Sequence, residues 1–299
     1  MSVIAPLFTV ATISYNSAKW IRQTIESILA SSFTDFELLI SDDCSTDDTW
    51  SIIKEYNDPR IRAWQNEKNI GEYKNRNKAL TAAKGKYFLF VDGDDILYKE
   101  SLGKLASYIN EFPTLVSIFG IDKKCLPQIK VPLLISETEA YKWIYSFYIP
   151  IAFVGFAETL FETETLKRCG GFPENLVCGD TYIKKLMPAY GPILIITDSL
   201  QNWRTSENQA SSGLNKDLIG YQNNVIIDKT ILANAKVKRC LDNPEVYNHN
   251  IKVRDTKLFF RHTILKWKLG LGFKLFKKLQ FKLSDFKYLF TKAKIEKFN

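Results

Sequence analysis

Short apolar segments alternate with amphipathic helical patterns through the first 112 residues, and this alternation is the feature that most limits the fold. Four segments rich in β-branched and aromatic residues predict strands: 8–13, 36–40, 61–64 and 87–91. Between them apolar residues recur at helical spacing, which predicts helices. Strands that alternate with helices predict an α/β fold with a parallel sheet covered on both faces.

The predicted helices cover residues 21–29, 74–83 and 100–112, and a further helix follows the second strand. Ser45 and Asp48 form a Ser-x-x-Asp capping pattern, which predicts that this further helix begins at Ser45.

Polar residues follow three of the predicted strands at the point where each strand ends. Tyr15 and Asn16 follow the first strand, Asp43 follows the second, and the sequence Asp-Gly-Asp-Asp at 92–95 follows the fourth. In open α/β sheets ligands bind beyond the carboxyl ends of the strands. The sequence therefore predicts one binding site to which three separate segments contribute.

The acidic segment Asp92-Gly93-Asp94-Asp95 carries three carboxylates directly after a buried strand. Such carboxylates repel one another and lose hydration, so the cluster indicates a neutralising cation and its ligand. Oxygen ligands suit Mg²⁺ or Mn²⁺ and leave coordination positions that a diphosphate can fill. The alternative is a polar turn in which an aspartate caps the helix expected to begin near Tyr98.

The chain resembles the family 2 glycosyltransferases, which have the GT-A nucleotide-sugar fold. The resemblance covers roughly residues 6–210, and it rests on short motifs that occur in the family's order: Ser14-Tyr15-Asn16, Asp42-Asp43-Cys44-Ser45-Thr46-Asp47, Asn69-x-Gly71, Arg76-Asn77, Gly85-x-Tyr87 and Asp92-Gly93-Asp94-Asp95. It implies a Rossmann-like, mixed but mostly parallel sheet with helices on both faces.

Three regions are expected on this basis. Residues 1–215 would form the GT-A catalytic domain, with a nucleotide-sugar half at about 6–120 and an acceptor half at about 121–215. Residues 216–299 would form a basic, amphipathic helical appendage. Within the acceptor half, segment 121–151 contains three prolines, and we expect acceptor-side loops there.

The resemblance also assigns roles to individual residues. It implies that Tyr15 stacks near the base, Asp43 accepts from the uracil imide, Asp92 holds the ribose and Asp94 ligates the metal. The residues expected to contact the nucleotide sugar are Thr12, Tyr15, Asp43, Arg76, Asp92, Gly93 and Arg204. A carboxylate can accept a hydrogen bond from the uracil N–H, whereas cytosine has no imide proton. A UDP-sugar with Mn²⁺ or Mg²⁺ is therefore expected, with GDP and dTDP as alternatives.

Asp180 is the predicted catalytic residue. The family usually has Glu-Asp here, and the Asp serves as general base; in this chain Gly179 replaces the Glu. Because Asp180 begins a predicted helix at 181–188, its alternative role is an N-cap. Trp203-Arg204 matches a later motif, but Ser206 stands where a metal-binding His is often found. For Arg76 the alternative role is a solvated arginine on a helix.

Cysteine, histidine and hydropathy patterns exclude other classes of protein. Five scattered cysteines form no CxxC pair, which indicates reduced thiols in a cytosolic protein. The two histidines, His249 and His262, lie far from the acidic segment in sequence, which argues against a Ser-His-Asp triad or a histidine zinc site. We expect neither a signal peptide nor a membrane-spanning segment.

The basic charge is concentrated in residues 251–299, which we call the basic tail. The net charge is +8, but the tail holds fourteen Lys or Arg against three acidic residues, so it carries +11 and the rest carries −3. Apolar residues recur at helical spacing in two segments, with Gly270 and Gly272 expected to separate the helices: Phe260, Ile264, Trp267 and Leu271, then Phe273, Phe276, Leu279, Leu283, Phe286 and Phe290.

Basic amphipathic helices of this kind bind anionic membrane surfaces. We therefore expect peripheral association with the cytoplasmic face of a bacterial inner membrane. The alternative is that the apolar faces pack on the catalytic domain or on a second copy of the chain, which would give a homodimer.

Three functions are compatible with a chain of this pattern. The sequence favours a metal-dependent inverting glycosyltransferase that moves a hexosyl or N-acetylhexosaminyl group from a UDP-sugar to a lipid-linked glycan, in the synthesis of O-antigen, capsule or another surface polysaccharide. A nucleotidyltransferase of similar α/β fold would show a glycine-rich phosphate loop with a lysine, and residues 12–18 lack one. A non-catalytic membrane or nucleic-acid binder is the third alternative, but the wide apolar face of the tail is not typical of nucleic-acid binding.

Overall fold

The computed structural model describes residues 5–125, 130–146, 156–204, 218–264 and 269–294. Its strands are β1 (Phe8–Ser14), β2 (Phe36–Asp42), β3 (Ile61–Gln65), β4 (Tyr87–Phe90), β5 (Ile96–Leu97), β6 (Ser117–Gly120), β7 (Leu133–Ile135), β8 (Thr159–Glu162), β9 (Ile193–Ile196) and β10 (Gln201–Asn202).

The α-helices are α1 (Ile21–Leu29), α2 (Thr49–Ile53), α3 (Glu72–Ala82), α4 (Ser101–Glu111), α5 (Glu137–Tyr145), α6 (Thr163–Arg168), α7 (Gly179–Leu186), α8 (Ile219–Ala233), α9 (Ala235–Cys240), α10 (Pro244–Thr263) and α11 (Leu269–Lys278). Short 3₁₀ helices cover Lys123–Cys125, Phe156–Glu158, Met187–Tyr190 and Leu283–Phe290.

Eight strands form one mixed sheet in the order β3-β2-β1-β4-β8-β6-β9-β7. The first four of these are parallel, and β6 is parallel to β9. Strand β8 runs antiparallel to both β4 and β6, and β7 runs antiparallel to β9. The mixed, mostly parallel sheet expected from the family resemblance is confirmed.

Both faces of this sheet are covered, as the alternation of elements predicts. Val10 and Leu38 contribute to an apolar cluster with residues of α1 and α4, whereas the neighbouring Ala11 and Leu39 contribute to a second cluster with residues of α3 and α7. Successive side chains of a strand point to opposite faces, so two separate cores are expected from one sheet.

Two predicted helix starts differ from the structure. Helix α2 begins at Thr49 rather than Ser45, because the Ser45 hydroxyl donates to the Asp42 carboxylate instead of capping the helix. Helix α4 begins at Ser101 with Glu100 at its N-cap position, so no aspartate of the acidic segment caps it. Segment 121–151, expected to form loops, contains β7 and α5 within its described part.

The basic tail does not form the two predicted helices. Gly270 and Gly272 lie inside α11 instead of separating two helices, and 283–290 is a 3₁₀ helix. Glycine is tolerated in a helix at about 1 kcal/mol relative to alanine. Gly272 brings α11 close to α10, since a Cβ at this position would lie 3.2 Å from the Thr263 Cβ. Trp267 lies outside the described residues.

Part of the tail packs inside the protein. Phe259, Leu275 and Leu279 are buried together with Val225 of α8. A further cluster joins α5 and α7 to the C-terminal helices through Tyr141, Leu186, Ile227, Ile231 and Tyr247. One side of the tail helices is therefore buried against the rest of the protein. Across the described residues, no helix combines the length and apolar character needed to cross a bilayer.

A buried ionic cluster fastens the C-terminal helices to α7. The Asp228 carboxylate, fully buried in α8, lies 2.6 Å from Lys185 Nζ and 2.6 Å from Arg254 Nη2, and it accepts a hydrogen bond from the Tyr145 hydroxyl. Arg254 also pairs with Asp255 at 2.6 Å. Burial alone would raise the pKa of Asp228, but Lys185 and Arg254 outweigh it and lower that pKa.

Asp228→Asn should lower the free energy of unfolding by about 3–5 kcal/mol, because it leaves the buried Lys185 without its carboxylate and removes one of the two carboxylates that pair with Arg254. Because the pKa of Asp228 is lowered in the folded state, its contribution is present at neutral pH and lost as pH falls through the folded-state pKa. Urea unfolding followed by circular dichroism at pH 7 and under acidic conditions measures both effects.

Glu55→Gln is the matched control, because it breaks the Arg22–Glu55 pair, whose side chains are 47% and 55% exposed. We expect about 1 kcal/mol or less from this surface pair. Equal losses in the two variants would contradict a structural role for the Asp228 cluster.

Candidate active site

The carboxyl ends of three adjacent strands bring the predicted nucleotide residues to one edge of the sheet. Strand β1 lies between β2 and β4, and Ser14 is in register with Asp42. Tyr15 and Asp43 follow β1 and β2 directly, and Asp92 follows β4 after one residue, so they lie at the same edge. Tyr15 is 48% exposed, whereas Thr12, also expected to contact the nucleotide sugar, is fully buried within β1.

The Asp43 carboxylate, directly after β2, is held by the loop that connects β3 to α3. It is 3% exposed and accepts three hydrogen bonds of 2.9 Å, from Asn66 Nδ2, the Ile70 amide and the Gly71 amide. Gly71 has a φ of +89°, in the left-handed region that favours glycine. The Asn69-x-Gly71 motif therefore positions backbone amides that donate to the Asp43 carboxylate.

Arg76 is a buried cation that binds the first carboxylate of the acidic segment. Its guanidinium donates to both Asp92 oxygens at 2.8 and 2.9 Å and to Glu72, and it lies 4.2 Å from the centroid of the Phe156 ring. Burial alone would lower the pKa of Arg76, but the Asp92 and Glu72 charges outweigh it and raise that pKa. The interpretation of Arg76 as a solvated helix residue is therefore wrong.

Gly93 lets the acidic segment approach the end of β1. Its amide donates to the Ile13 carbonyl at 3.0 Å, and a Cβ at this position would lie 3.1 Å from that carbonyl oxygen. A side chain at this position would require one of its neighbours to move by a few tenths of an ångström. Position 93 therefore brings Asp92 and Asp94 close to the first strand.

Asp94 and Asp95 occupy different environments. Asp95 is 3% exposed, and burial raises its pKa to about 7, although the Arg204 amide donates to its carboxylate and opposes the rise. Asp94 is half-buried, and its carbonyl accepts from Arg204 Nε. Of the three carboxylates, one pairs with Arg76 and one is buried, so Asp94 is the one best suited to a ligand.

The donor set is compatible with a divalent cation that takes most of its ligands from a substrate. Within the described ranges, no three His, Cys, Asp or Glu side chains are grouped as a metal site. Asp94 alone would offer a hard oxygen ligand. Mg²⁺ commonly binds through one or two carboxylates plus substrate phosphates, and this arrangement agrees with such a site.

Arg204 fastens the acidic segment to α1. Its guanidinium donates to Gln23 Oε1 at 2.6 Å and to the Thr24 hydroxyl, and it lies 4.7 Å from the centroid of the Trp20 ring. Pairing of β10 with β5 places it there, just beyond Asp95. Burial lowers the pKa of Arg204, and the charges of Asp94 and Asp95 oppose that shift. Ser206 lies outside the described residues.

Asp180 lies in the first turn of α7, but it is not the N-cap. Cys178 occupies the cap position, and Asp180 is the second helical residue. Its side chain is 23% exposed and lies 3.1 Å from the ammonium of Lys184, one turn later. The N-cap interpretation of Asp180 is therefore wrong, and the carboxylate is only partly accessible to solvent.

Three residues that the sequence analysis did not single out connect these groups. Tyr73 of α3 binds the turn before Asp180, Lys184 binds Asp180 itself, and Glu72 binds Arg76. Tyr73 is an aromatic residue in the otherwise polar first half of α3, which was the available signal. Asn77, part of a quoted motif, both accepts from the Phe172 amide and donates to its carbonyl, at 2.8 Å each.

A protein-family model described as glycosyl transferase family 2 matches residues 9–162, which is just over half of the chain. The chain belongs to this family. The matched residues run from the second residue of β1 to the end of β8, and they include the loops that carry Tyr15, Asp43 and Asp92 to Asp95. The resemblance seen in the sequence motifs is confirmed.

Two relatives show the range of proteins similar to the chain. The poly(ribitol-phosphate) β-N-acetylglucosaminyltransferase TarS of Staphylococcus aureus is 38% identical over 40% of this chain and 22% of its own length. The UDP-Glc:α-D-GlcNAc-diphosphoundecaprenol β-1,3-glucosyltransferase WfaP of Escherichia coli is 42% identical over 30% of this chain and 36% of its own length. Both matches span well under two thirds of the relatives.

Solved structures confirm the fold over nearly the whole chain. Residues 1–349 of S. aureus TarS in complex with UDP-GlcNAc match with a TM-score of 0.65 and 24% identity, covering 94% of this chain and 78% of that one. A mannosyltransferase from Pyrobaculum calidifontis in complex with GDP-Man and Mn²⁺ matches with the same TM-score and 16% identity, covering 96% of this chain and 79% of that one.

Proposed function

We propose that this protein is an inverting glycosyltransferase that moves a sugar from a UDP-sugar to an acceptor hydroxyl. The observation that carries the proposal is that Asp43, Asp92, Asp94 and Arg204 meet at one edge of the sheet. Helix α3 contacts both this edge and α7, the helix of Asp180. Its Arg76 donates to Asp92 at the edge, and its Tyr73 hydroxyl accepts from the Gly179 amide at the start of α7. One helix, α3, thus contacts both the proposed nucleotide site and the helix of the candidate base.

For the donor, we propose a UDP-sugar whose uracil imide donates to Asp43. A carboxylate fixed by three donors is well positioned to accept one more hydrogen bond from an N–H group. Tyr15, exposed beside Asp43, offers a ring for the base. The UDP-GlcNAc complex of TarS supports UDP, whereas the GDP-Man complex from P. calidifontis keeps GDP as the alternative.

Asp94 is the residue proposed to hold a divalent cation together with the diphosphate. When bound, such a cation would stabilise the negative charge of the leaving diphosphate. The Mn²⁺ complex of the P. calidifontis enzyme supports this assignment. Arg204, held against Asp94 and Asp95, is a second proposed contact of the diphosphate. Arg76 acts indirectly, because it fixes the Asp92 carboxylate that we assign to the ribose.

Asp180 is proposed to remove the proton of the acceptor hydroxyl. Its Oδ1 takes the proton while the hydroxyl oxygen attacks the anomeric carbon. The bond between that carbon and the diphosphate oxygen breaks, and its electron pair leaves with UDP. A single displacement from the opposite side inverts the configuration, so an α-linked donor gives a β-linked product.

For the acceptor, we propose a lipid-linked glycan at the cytoplasmic face of a bacterial inner membrane, used to build a surface polysaccharide. The E. coli relative, by its name, acts on a diphosphoundecaprenol-linked sugar, which supports this choice. In the part of the tail that the structure describes, three apolar side chains remain largely exposed: Phe273 at 79%, Leu283 at 81% and Phe290 at 92%. With the excess of lysines, they would contribute to binding an anionic membrane.

Asp94→Asn should abolish the Mn²⁺-dependent part of UDP binding, because the amide removes the charge that attracts the cation. Calorimetric titration of UDP with and without Mn²⁺ measures this. Asp92→Asn should instead lower the stability of the ligand-free protein by about 1–3 kcal/mol, since a bond to buried Arg76 is lost. A wild-type Mn²⁺ effect in Asp94→Asn would mean that the acidic segment is only a polar turn.

Asp180→Asn should reduce transfer by about 10²–10⁴-fold, the usual contribution of a positioned general base, while UDP binding stays unchanged. Asparagine keeps the size of aspartate but cannot take the proton. Turnover at saturating donor and acceptor is the measurement. If the variant stays within a few-fold of wild type, the base lies elsewhere, and Glu174, near Asn77, is the next candidate.

The intact protein should bind anionic vesicles at low salt, with about 1 kcal/mol from each basic residue near the surface. Phe273→Ser and Leu283→Ser should each weaken this binding by roughly tenfold, as expected from the loss of apolar burial. Leu134→Ser, which changes an exposed leucine of β7, should bind as the wild type does. Vesicle sedimentation tests this, and an intact protein that ignores anionic vesicles would overturn the membrane assignment.

A further inference from the structure

Tyr73 makes an unusual double contact with the turn that precedes Asp180. Its hydroxyl donates to the Val177 carbonyl and accepts from the Gly179 amide, and both bonds measure 2.9 Å. A phenol used as donor and acceptor in this way fixes two points of the backbone, one on each side of Cys178. Its burial raises the pKa of Tyr73, so the phenol stays protonated and can donate.

Gly179 makes room for this ring. A Cβ at position 179 would lie 2.7 Å from Tyr73 Cε1 and 2.9 Å from Cζ, closer than real Cβ atoms come to their neighbours. The phenol therefore lies directly against the backbone of the residue before Asp180. Position 179 is also where the resemblance leads one to expect a Glu, so the ring occupies space that a side chain would need.

Lys184 holds the carboxylate itself. Its side chain is fully buried, and its ammonium donates to Asp180 Oδ2 at 3.1 Å. A lysine is almost never fully buried unless it is paired, because removing an ammonium from water costs several kcal/mol. The next residue, Lys185, is equally buried but pairs with Asp228 of α8. Two adjacent buried lysines of α7 thus serve two different carboxylates.

We infer that Tyr73 and Lys184 are positioning residues for Asp180, Tyr73 fixing its backbone and Lys184 its carboxylate. This inference rests on the proposed function, in which Asp180 is the general base. Since Lys184 occupies Oδ2, the other oxygen, Oδ1, is the one directed to the acceptor hydroxyl.

Tyr73→Phe and Lys184→Met test the two contacts separately. Each should lower turnover at saturating substrates by roughly tenfold to a hundredfold, the scale of a small misplacement of a catalytic group. The KM for the donor and the calorimetric affinity for UDP should stay within about twofold of wild type. Tyr73→Phe removes one oxygen and keeps the ring, so it remains informative even if Lys184→Met folds poorly.

Matched controls separate positioning from stability. Lys185→Met removes a lysine of equal burial from the same helix, and Tyr182→Phe removes a hydroxyl from that helix. Lys185→Met should lower the melting temperature, and both variants should keep turnover within about twofold of wild type. A fall in turnover that only follows melting temperature across all four variants would mean a merely structural role, and would overturn the inference.

A double-mutant cycle with Asp180→Asn completes the test. If Tyr73 and Lys184 act through Asp180, adding either change to Asp180→Asn should reduce turnover by no more than about twofold further. The inference is overturned if the effects multiply, or if both single variants turn over at the wild-type rate while Asp180→Asn is impaired. Normal turnover of Asp180→Asn itself would instead refute the general-base assignment.

Discussion

The ion pair between Arg76 and Asp92 is the interaction on which the rest of the site depends. It joins the middle of α3 to the second residue after β4, and it neutralises one of three carboxylates that lie within four residues of sequence. Because Arg76 is buried and also bound by Glu72, α3 has little freedom to rotate. The other contacts of α3, through Tyr73 and Asn77, therefore keep a fixed relation to the sheet.

The three carboxylates of the acidic segment lie in three different environments. Asp92 is held by a buried cation, Asp95 is desolvated with a pKa raised to about 7, and Asp94 remains partly accessible beside Arg204. Mutual repulsion would otherwise disfavour such a cluster. Separate partners for neighbouring residues reduce that repulsion before any ligand binds.

Local pattern predicted the N-terminal half of the fold and the edge that holds the site, because strands and helices there have clear periodicity. Contacts between distant residues were not readable in the same way. The role of Arg76 was ambiguous in the sequence, since its partner Asp92 lies 16 residues later. Ser45 does not cap a helix, because its hydroxyl donates to the Asp42 carboxylate. Lys184 and Lys185 would pass for exposed charges in sequence, and only the packing around α7 reveals their burial.

The Asp228 cluster limits how far the basic tail can move relative to the helix that carries Asp180. A surface-binding segment on a flexible linker would let an enzyme sample a range of heights above a membrane, with an effective concentration set by the linker length. Here Lys185 of α7 and Arg254 of α10 both pair with the buried Asp228 carboxylate. Separating the tail from the helix of Asp180 would break these ion pairs, which is costly for buried charges. A membrane bound by this tail would hold the site at one height and one tilt, and acceptors would be selected by how far their hydroxyl stands above the bilayer.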